Sequence, residues 1–195
     1  MPSGTEFDRS SPLKSFVNVV RRLVLHPVKF FAEVPRARNI LDPLLFALIC
    51  FEVSRIAAVL PLAGDVLGGS QTAIRAALWS VVGVVIIGII CLPIVASFLQ
   101  FAAGLVVGEE NTTFGAAFRV IAYAQVIHLV SWIPVIGPLS VLYAVYLLVV
   151  GIRETRGTTT RRAVLVFVGY CFLLFPFFFV LVLPLASVLA RVFLF

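Results

Sequence analysis

Charged residues are scarce in this chain of 195 residues: they make up 12% of it, against 62% hydrophobic residues. The mean hydropathy is +1.14. A soluble domain of ordinary composition has about 25% charged residues, which supply much of its polar surface. The scarcity of charge therefore argues against a soluble globule and indicates an integral membrane protein.

Residues that carry out chemistry are also few, with three cysteines and two histidines in all. Cys50, Cys91 and Cys171 lie in separate apolar runs without CxxC or Cys/His spacing, so we expect small core or lipid-facing residues rather than disulfides or metal ligands. The chain has no HExxH, no GxSxG and no glycine-rich phosphate loop. We therefore expect no enzyme and no cofactor, and an intramembrane enzyme is only a distant third hypothesis.

Apolar runs fill most of the chain and predict an all-α integral membrane protein, a bundle of five transmembrane helices. A helix of 20 residues is about 30 Å long, which matches the hydrocarbon thickness of a bilayer. The run at 138–152 is short, so the unit 114–152 is either two spans or a hairpin that only partly penetrates. The membrane domain is predicted at residues 43–195, with spans at about 44–63, 76–105, 114–132, 138–152 and 163–191.

The segment before the first span, residues 1–42, is predicted to be cytoplasmic and to contain a basic amphipathic helix at about 12–35. Leu13, Phe16, Val17, Val20, Leu23 and Val24 follow helical spacing on one face. Pro27 interrupts this helix. Because this helix is too polar to span, we expect it to lie in the headgroup plane. It could act there as a curvature sensor or as a docking site for a partner. The favoured interpretation is a simple anchor beside the bundle.

Positive charge is concentrated before the first span and in the loop 153–162. This clustering places both regions in the cytoplasm and the C-terminus outside. It forms no continuous stripe, so we expect anionic lipid headgroups rather than nucleic acid as the partner, with a protein partner or a homo-oligomer as further candidates. The residues predicted to contact lipid or a partner are Lys14, Arg21, Arg22, Lys29, Arg153, Arg156, Arg161 and Arg162.

Two ionisable residues lie near the middle of the first span, which Asp42-Pro43 is predicted to begin with Asp42 as N-cap. Glu52 and Arg55 would each cost about 3 kcal/mol at the bilayer centre. Their i, i+3 spacing lets them neutralise one another, so an internal pair is the simplest interpretation.

Four polar residues lie in the predicted span 114–132. Arg119 is near enough to the start of the span to snorkel, and Tyr123 lies on nearly the same face. Gln125 and His128 are deeper, share the opposite face and need partners inside the bundle. Together with Glu52 and Arg55, this second pair motivates the alternative hypothesis of a small transporter or channel with a polar pathway.

Several short motifs resemble the Yip family of membrane proteins with five spans. They are Phe114-Gly-Ala-Ala-Phe-Arg-Val-Ile-Ala-Tyr123, Ile133-Pro-Val-Ile-Gly-Pro138, Leu142-Tyr-Ala-Val-Tyr146, Gly151-Ile-Arg-Glu154 and Arg161-Arg-Ala163, with Phe30-Phe31 and Asp42-Pro43 upstream. The resemblance covers about residues 27–185. It implies a cytoplasmic N-terminus and an external C-terminus, as the charge distribution does.

The resemblance also implies roles in vesicle formation and membrane shaping, which eukaryotic members perform with Rab-type GTPases between ER and Golgi. Arginine outnumbers lysine here, and a long acidic N-terminal extension is missing. These features favour a bacterial cell membrane, with the ER/Golgi membrane as the alternative. The leading hypothesis is thus a non-enzymatic scaffold, adaptor or membrane-shaping factor that acts through its cytoplasmic basic face.

Overall fold

The computed structural model describes residue 7 and residues 11–34, 39–108, 113–184 and 187. These residues form helices and no strand, which confirms the all-α prediction. The predicted loop 109–113 and the end of the predicted span 163–191 lie largely outside the described residues. The helices are α1 (Pro12–Leu25), α2 (Pro27–Glu33), α3 (Leu41–Val59), α4 (Ala63–Leu67), α5 (Gln71–Leu78), α6 (Val84–Val107), α7 (Phe114–Ala124), α8 (His128–Ser131), α9 (Ile136–Arg156) and α10 (Thr160–Phe177).

Four helical stretches are long and apolar enough to cross a membrane. They are Gln71–Val107, Phe114–Ser131, Ile136–Arg156 and Thr160–Val180. The first predicted span, 44–63, corresponds to α3, which has 19 residues, carries Asp42, Glu52 and Arg55, and is not among the four. The structure therefore supports four of the five predicted spans.

The start of α3 differs from its prediction. The helix begins at Leu41, so Asp42 lies in its first turn and is not the N-cap. The side chain of Asn39 takes over part of the capping, because its Oδ1 accepts a hydrogen bond of 3.1 Å from the Leu41 backbone N–H. A carboxylate in the first turn still favours this start, since it faces the positive end of the helix dipole.

The predicted short run at 138–152 is a full-length helix, α9, of 21 residues. The prediction ended it at the first charges, but the helix continues through Arg153 and Glu154, whose side chains form an ion pair of 2.6 Å. It ends where Gly157 adopts a left-handed conformation with φ of 59°. The predicted loop 153–162 therefore shrinks to residues 157–159, which leaves α9 long enough to span.

Prolines leave the long helices uninterrupted, as predicted. The helix α6 continues through Pro93 and is preceded by a π-helical turn at Trp79–Gly83. The helix α10 contains Pro176 and widens into a second π-helical turn at Phe178–Val182. The second turn lies just after Pro176, and wider turns beside a proline can accommodate backbone groups that the proline leaves unpaired.

The core of the bundle is built around α7, in which every residue from Ala116 to Ala124 is buried. α9 runs antiparallel against it so closely that a Cβ atom added at Gly151 would lie 2.9 Å from Cγ1 of Val120. α10 packs against α6, where a Cβ at Gly169 would lie 3.8 Å from that of Ala102. Small residues thus set the closest helix contacts, as is usual in membrane bundles.

The N-terminal segment is a hairpin of two helices packed against this bundle. Phe16 of α1 stacks on Phe46 of α3 at 5.3 Å between ring centroids, and Phe30 of α2 lies 5.0 Å from Tyr123. The Tyr143 hydroxyl donates a 2.9 Å hydrogen bond to the carbonyl oxygen of Leu23. The segment predicted to lie flat in the headgroup plane is therefore fixed along α7 and α9, because half of its apolar face is buried.

Candidate functional site

Arg119 is completely buried, although its place near the start of a span predicted that it would snorkel. Its Nη1 donates a 3.2 Å hydrogen bond to the Gly115 carbonyl oxygen, and its Nη2 a 3.4 Å bond to that of Asn39. Arg119 therefore links α7 to the residues that precede α3. This is a structural role, and the guanidinium does not reach the headgroups.

Tyr123 is buried in an aromatic cluster. Its ring lies edge-on to Phe30 at 5.0 Å and tilted against Phe46 at 5.2 Å. Such pairs contribute about 0.5–1.5 kcal/mol beyond the area that they bury. Tyr123 thus joins α2, α3 and α7 and lies away from the other polar residues of its span.

Gln125 and His128 lie where the predicted continuous span bends. A 3-10 turn at Gln125–Ile127 separates α7 from α8. The Gln125 amide donates to the Ile121 carbonyl oxygen at 3.0 Å, so it is satisfied within its own helix. The His128 ring lies 4.7 Å from that of Phe51, and its Nδ1 is 3.4 Å from Oγ of Ser131.

Glu52 and Arg55 interact electrostatically, but among the described residues they form no direct ion pair with a short N···O distance. Oε1 of Glu52 is buried without a hydrogen-bond partner among the described residues. The exposed Arg55 lies close enough to both Glu52 and His128 for a Coulomb interaction. The structure therefore gathers Glu52, Arg55 and His128 where α3 meets α8, and Gln125 remains bonded to its own helix.

This cluster holds one carboxylate, one guanidinium and one imidazole. Carboxylate and imidazole groups can hold or pass on a proton. Among the described residues, however, no group of three or more His, Cys, Asp or Glu side chains could bind a metal ion. Cys50, Cys91 and Cys171 are free thiols.

The basic residues of α1 and α2 divide into exposed and paired ones. Lys14, Arg21 and Lys29 are exposed. Arg22 forms an ion pair with Glu33, which closes the hairpin between the two helices. Arg22 therefore stabilises the hairpin. The cations of this segment that remain exposed to lipid are Lys14, Arg21 and Lys29.

The cations around the turn between α9 and α10 divide in the same way. Arg161 and Arg162 are exposed at the start of α10. Arg153 pairs with Glu154, and its Nη1 lies 3.5 Å from the hydroxyl of Thr160. Arg156 was predicted to contact lipid or a partner, but it is buried and its terminal nitrogens have no hydrogen-bond partner among the described residues. Five predicted contact residues remain exposed in all: Lys14, Arg21, Lys29, Arg161 and Arg162.

Helix α1 has two apolar faces, which the sequence pattern had merged into one. Val19 and Leu23 are buried against the bundle. Leu13, Val17 and Val24 are exposed by 81%, 64% and 50%, and helical geometry lines them up as one stripe. Lys14 and Arg21 flank this exposed apolar stripe.

Three residues that hold these groups in place were not predicted. Glu33 closes the hairpin, Tyr143 fixes the end of α1, and Asn39 accepts a hydrogen bond from Arg119. The only signal in the sequence was Glu33, an isolated acidic residue within a basic segment. The other two contacts join residues at least 80 positions apart, and no local pattern predicts them.

Comparison with curated proteins and with solved structures gives no match. The family model for the Yip1 domain matches residues 21–183, which include every helix from α2 to α10. The match begins near the end of α1 and extends over α2 and the bundle, so it includes the motifs at 114–163. The chain is therefore a multi-pass membrane protein that belongs to the Yip1 domain family.

Proposed function

We propose that the protein is a non-enzymatic scaffold, adaptor or membrane-shaping factor that binds anionic lipid through its five exposed cations. The observation that carries this proposal is the exposed apolar stripe of α1, flanked by Lys14 and Arg21. A helix needs one apolar face to pack on its bundle. A second apolar face beside two cations suits contact with a bilayer interface.

The energetics favour lipid as the first partner. Each lysine or arginine near an anionic surface contributes about 1 kcal/mol. The exposed side chains of the stripe gain free energy in proportion to the area that they remove from water. A protein partner on the same face, or a second copy of the chain, would bind alongside.

The orientation belongs to the same proposal. With α3 as a fifth span, the N-terminus is cytoplasmic and the C-terminus external. The start of α3 then lies on the same side as Arg161 and Arg162, which follows the positive-inside rule. From that side, α1 extends along the bundle to the first half of α9. The membrane is that of a bacterial cell, or alternatively that of the ER or Golgi.

The test is recruitment of vesicles to the reconstituted protein. The Lys14→Glu/Arg21→Glu variant should capture vesicles with 30% phosphatidylglycerol at least about thirtyfold less well, because two attractive contacts of about 1 kcal/mol each are lost and become repulsive. Arg75→Glu is the matched control, since Arg75 is exposed on α5, on the predicted external side. Equal capture by all three proteins would remove the proposal.

Protein partners require a separate experiment. Crosslinking in native membranes, affinity capture and mass spectrometry should identify a partner that the Lys14→Glu/Arg21→Glu variant loses and the Arg75→Glu variant keeps. If only the protein itself is recovered from every variant, the adaptor role fails and lipid contact remains.

A small transporter or channel is the second candidate. The buried Oε1 of Glu52, close to Arg55 and His128, favours it, because an unpaired carboxylate oxygen inside a membrane bundle marks many ion and proton pathways. Proton or cation flux into liposomes should then fall after Glu52→Gln or His128→Ala. Flux that equals that of protein-free liposomes in all three preparations would eliminate this candidate.

A further inference from the structure

An apolar groove of about 320 Å³ opens between α1, α8 and the first half of α9. Val20 and Val24 of α1 form one wall, and Val130 and Leu139 belong to the opposite wall. Both α8 and α9 lie in membrane-spanning stretches. The groove is thus accessible from the hydrocarbon of the bilayer.

The groove has no free polar group among the residues that line it. Ser140 Oγ donates a 2.6 Å hydrogen bond to the Gly137 carbonyl oxygen. The Tyr143 hydroxyl donates to the carbonyl oxygens of Leu23 and Val24, at 2.9 and 3.2 Å. A polar occupant would lose its own hydrogen bonds there without replacement, so the groove selects an apolar one.

The size of the groove sets the size of that occupant. It has about twice the volume of the roughly 150 Å³ apolar cavity that is known to bind benzene in an engineered protein. It lies at the lower end of ligand pockets, which have about 300–1,000 Å³. This is room for a single acyl chain and too little for a bulky ligand.

A cation lies beside the groove residues of α1. Arg21 is exposed, and at 100° per residue it lies about 60° around the helix from the groove residue Val24. Its neighbour Arg22 is already paired with Glu33. Arg21 is therefore the guanidinium in this turn that remains available to a phosphate.

We infer that the groove seats one acyl chain of an anionic phospholipid whose phosphate contacts Arg21. The inference rests on the proposed function, because Arg21 is one of the cations that the proposed function assigns to anionic lipid. The bound acyl chain would also fill the space between α1 and α8 and so complete the packing between these helices.

The test is titration of the delipidated full-length protein with phosphatidylglycerol, followed by native mass spectrometry. The wild type should bind a first lipid at least tenfold more tightly than later ones, which corresponds to about 1.4 kcal/mol. Val130→Trp and Leu139→Trp each fill the groove and should remove this first step. Leu142→Trp is the matched control, because Leu142 is an exposed residue of α9 outside the groove lining and should leave the step unchanged.

Titrations with two further lipids test the contributions of the acyl chain and of the headgroup separately. Phosphatidylglycerol with six-carbon chains keeps the phosphate and should lose the tight step. Phosphatidylcholine keeps the chains and should bind more weakly than phosphatidylglycerol to the wild type, but equally well to Arg21→Gln. A tight step for the short-chain lipid would overturn the acyl-chain site.

The groove and the proposed function can fail separately. Identical binding by wild type, Leu139→Trp and Leu142→Trp, all with unchanged helical circular dichroism, would overturn the groove and leave vesicle capture untouched. Loss of the tight step in both groove variants, combined with vesicle capture that is insensitive to Lys14→Glu/Arg21→Glu, would support the groove without the scaffold.

Discussion

At the scale of residues, charge inside the bundle serves structure more than the sequence suggested. Arg119 was predicted to snorkel and is instead buried against two backbone carbonyl oxygens. Composition and spacing located Arg119, Glu52 and His128 correctly within apolar runs. They did not reveal the partners, because a side chain in a bundle is satisfied by residues that are remote in sequence.

Replacing Arg119 should destabilise the protein. Arg119→Gln loses charge-assisted hydrogen bonds to Gly115 and Asn39, each worth about 1.5–3 kcal/mol. The free energy of unfolding in mixed micelles should therefore fall by about 3–6 kcal/mol, the sum of the two bonds. Chemical denaturation followed by circular dichroism measures it.

The control for this change is Arg75→Gln. Arg75 is exposed, so its replacement should change the unfolding free energy by less than about 0.5 kcal/mol. If Arg119→Gln were equally neutral, the link between α7 and the start of α3 would not contribute to stability.

At the scale of elements, the sequence correctly predicted that a helix begins at Phe114. Thr113 caps this helix, α7, because its hydroxyl accepts a hydrogen bond from the Ala116 backbone N–H. The prediction failed where charge and helix coincide. It ended α9 at Arg153, and it could not divide the apolar face of α1 into a buried and an exposed half, because hydropathy alone does not indicate which neighbour covers a side chain.

Two glycines inside helices should respond in opposite ways to alanine. At Gly151 a methyl group would lie 2.9 Å from Val120 and 3.3 Å from Phe31, so overpacking should cost about 1–3 kcal/mol. At Gly104 no atom lies within 4 Å, so alanine should be neutral or stabilise by up to about 1 kcal/mol. Thermal unfolding in detergent compares the two variants.

The same pair tests which glycines set helix contacts. Equal effects of Gly151→Ala and Gly104→Ala would contradict the close approach of α9 to α7. Equal effects would also contradict the open space around Gly104.

The docking of α1 depends on Tyr143. Tyr143→Phe removes hydrogen bonds to the end of α1 whose net contribution is about 1 kcal/mol. Backbone amides of α1 should then exchange with deuterium about fivefold faster, because opening becomes easier by that free energy. Tyr146→Phe is the control, since Tyr146 is half-exposed one turn further along α9. Unchanged exchange in both variants would show that the Tyr143 hydroxyl does not hold α1 in place.

At the scale of the whole molecule, the family, the all-helical fold and four spans rest on the hydrophobic pattern and could be predicted from it. The role of α3 could not be, because its three ionisable residues make it ambiguous between a span and a helix packed at one side. Its side-by-side packing with α7 and α8, through Phe46 with Tyr123 and Phe51 with His128, favours a fifth span. If α3 crosses the membrane, the start of α3 and residues 157–159 share a face; otherwise they lie on opposite faces.

The most direct test of that central claim is labelling of single cysteines with an impermeant maleimide, from each side of sealed membranes. The background carries Cys50→Ala, Cys91→Ala and Cys171→Ala. We predict that Asn18→Cys and Thr160→Cys react only from the cytoplasmic side and that Leu67→Cys reacts only from the external side. Reaction of Asn18→Cys from the same side as Leu67→Cys would contradict the account, because the exposed cations of α1 and α10 would then lie on opposite membrane surfaces.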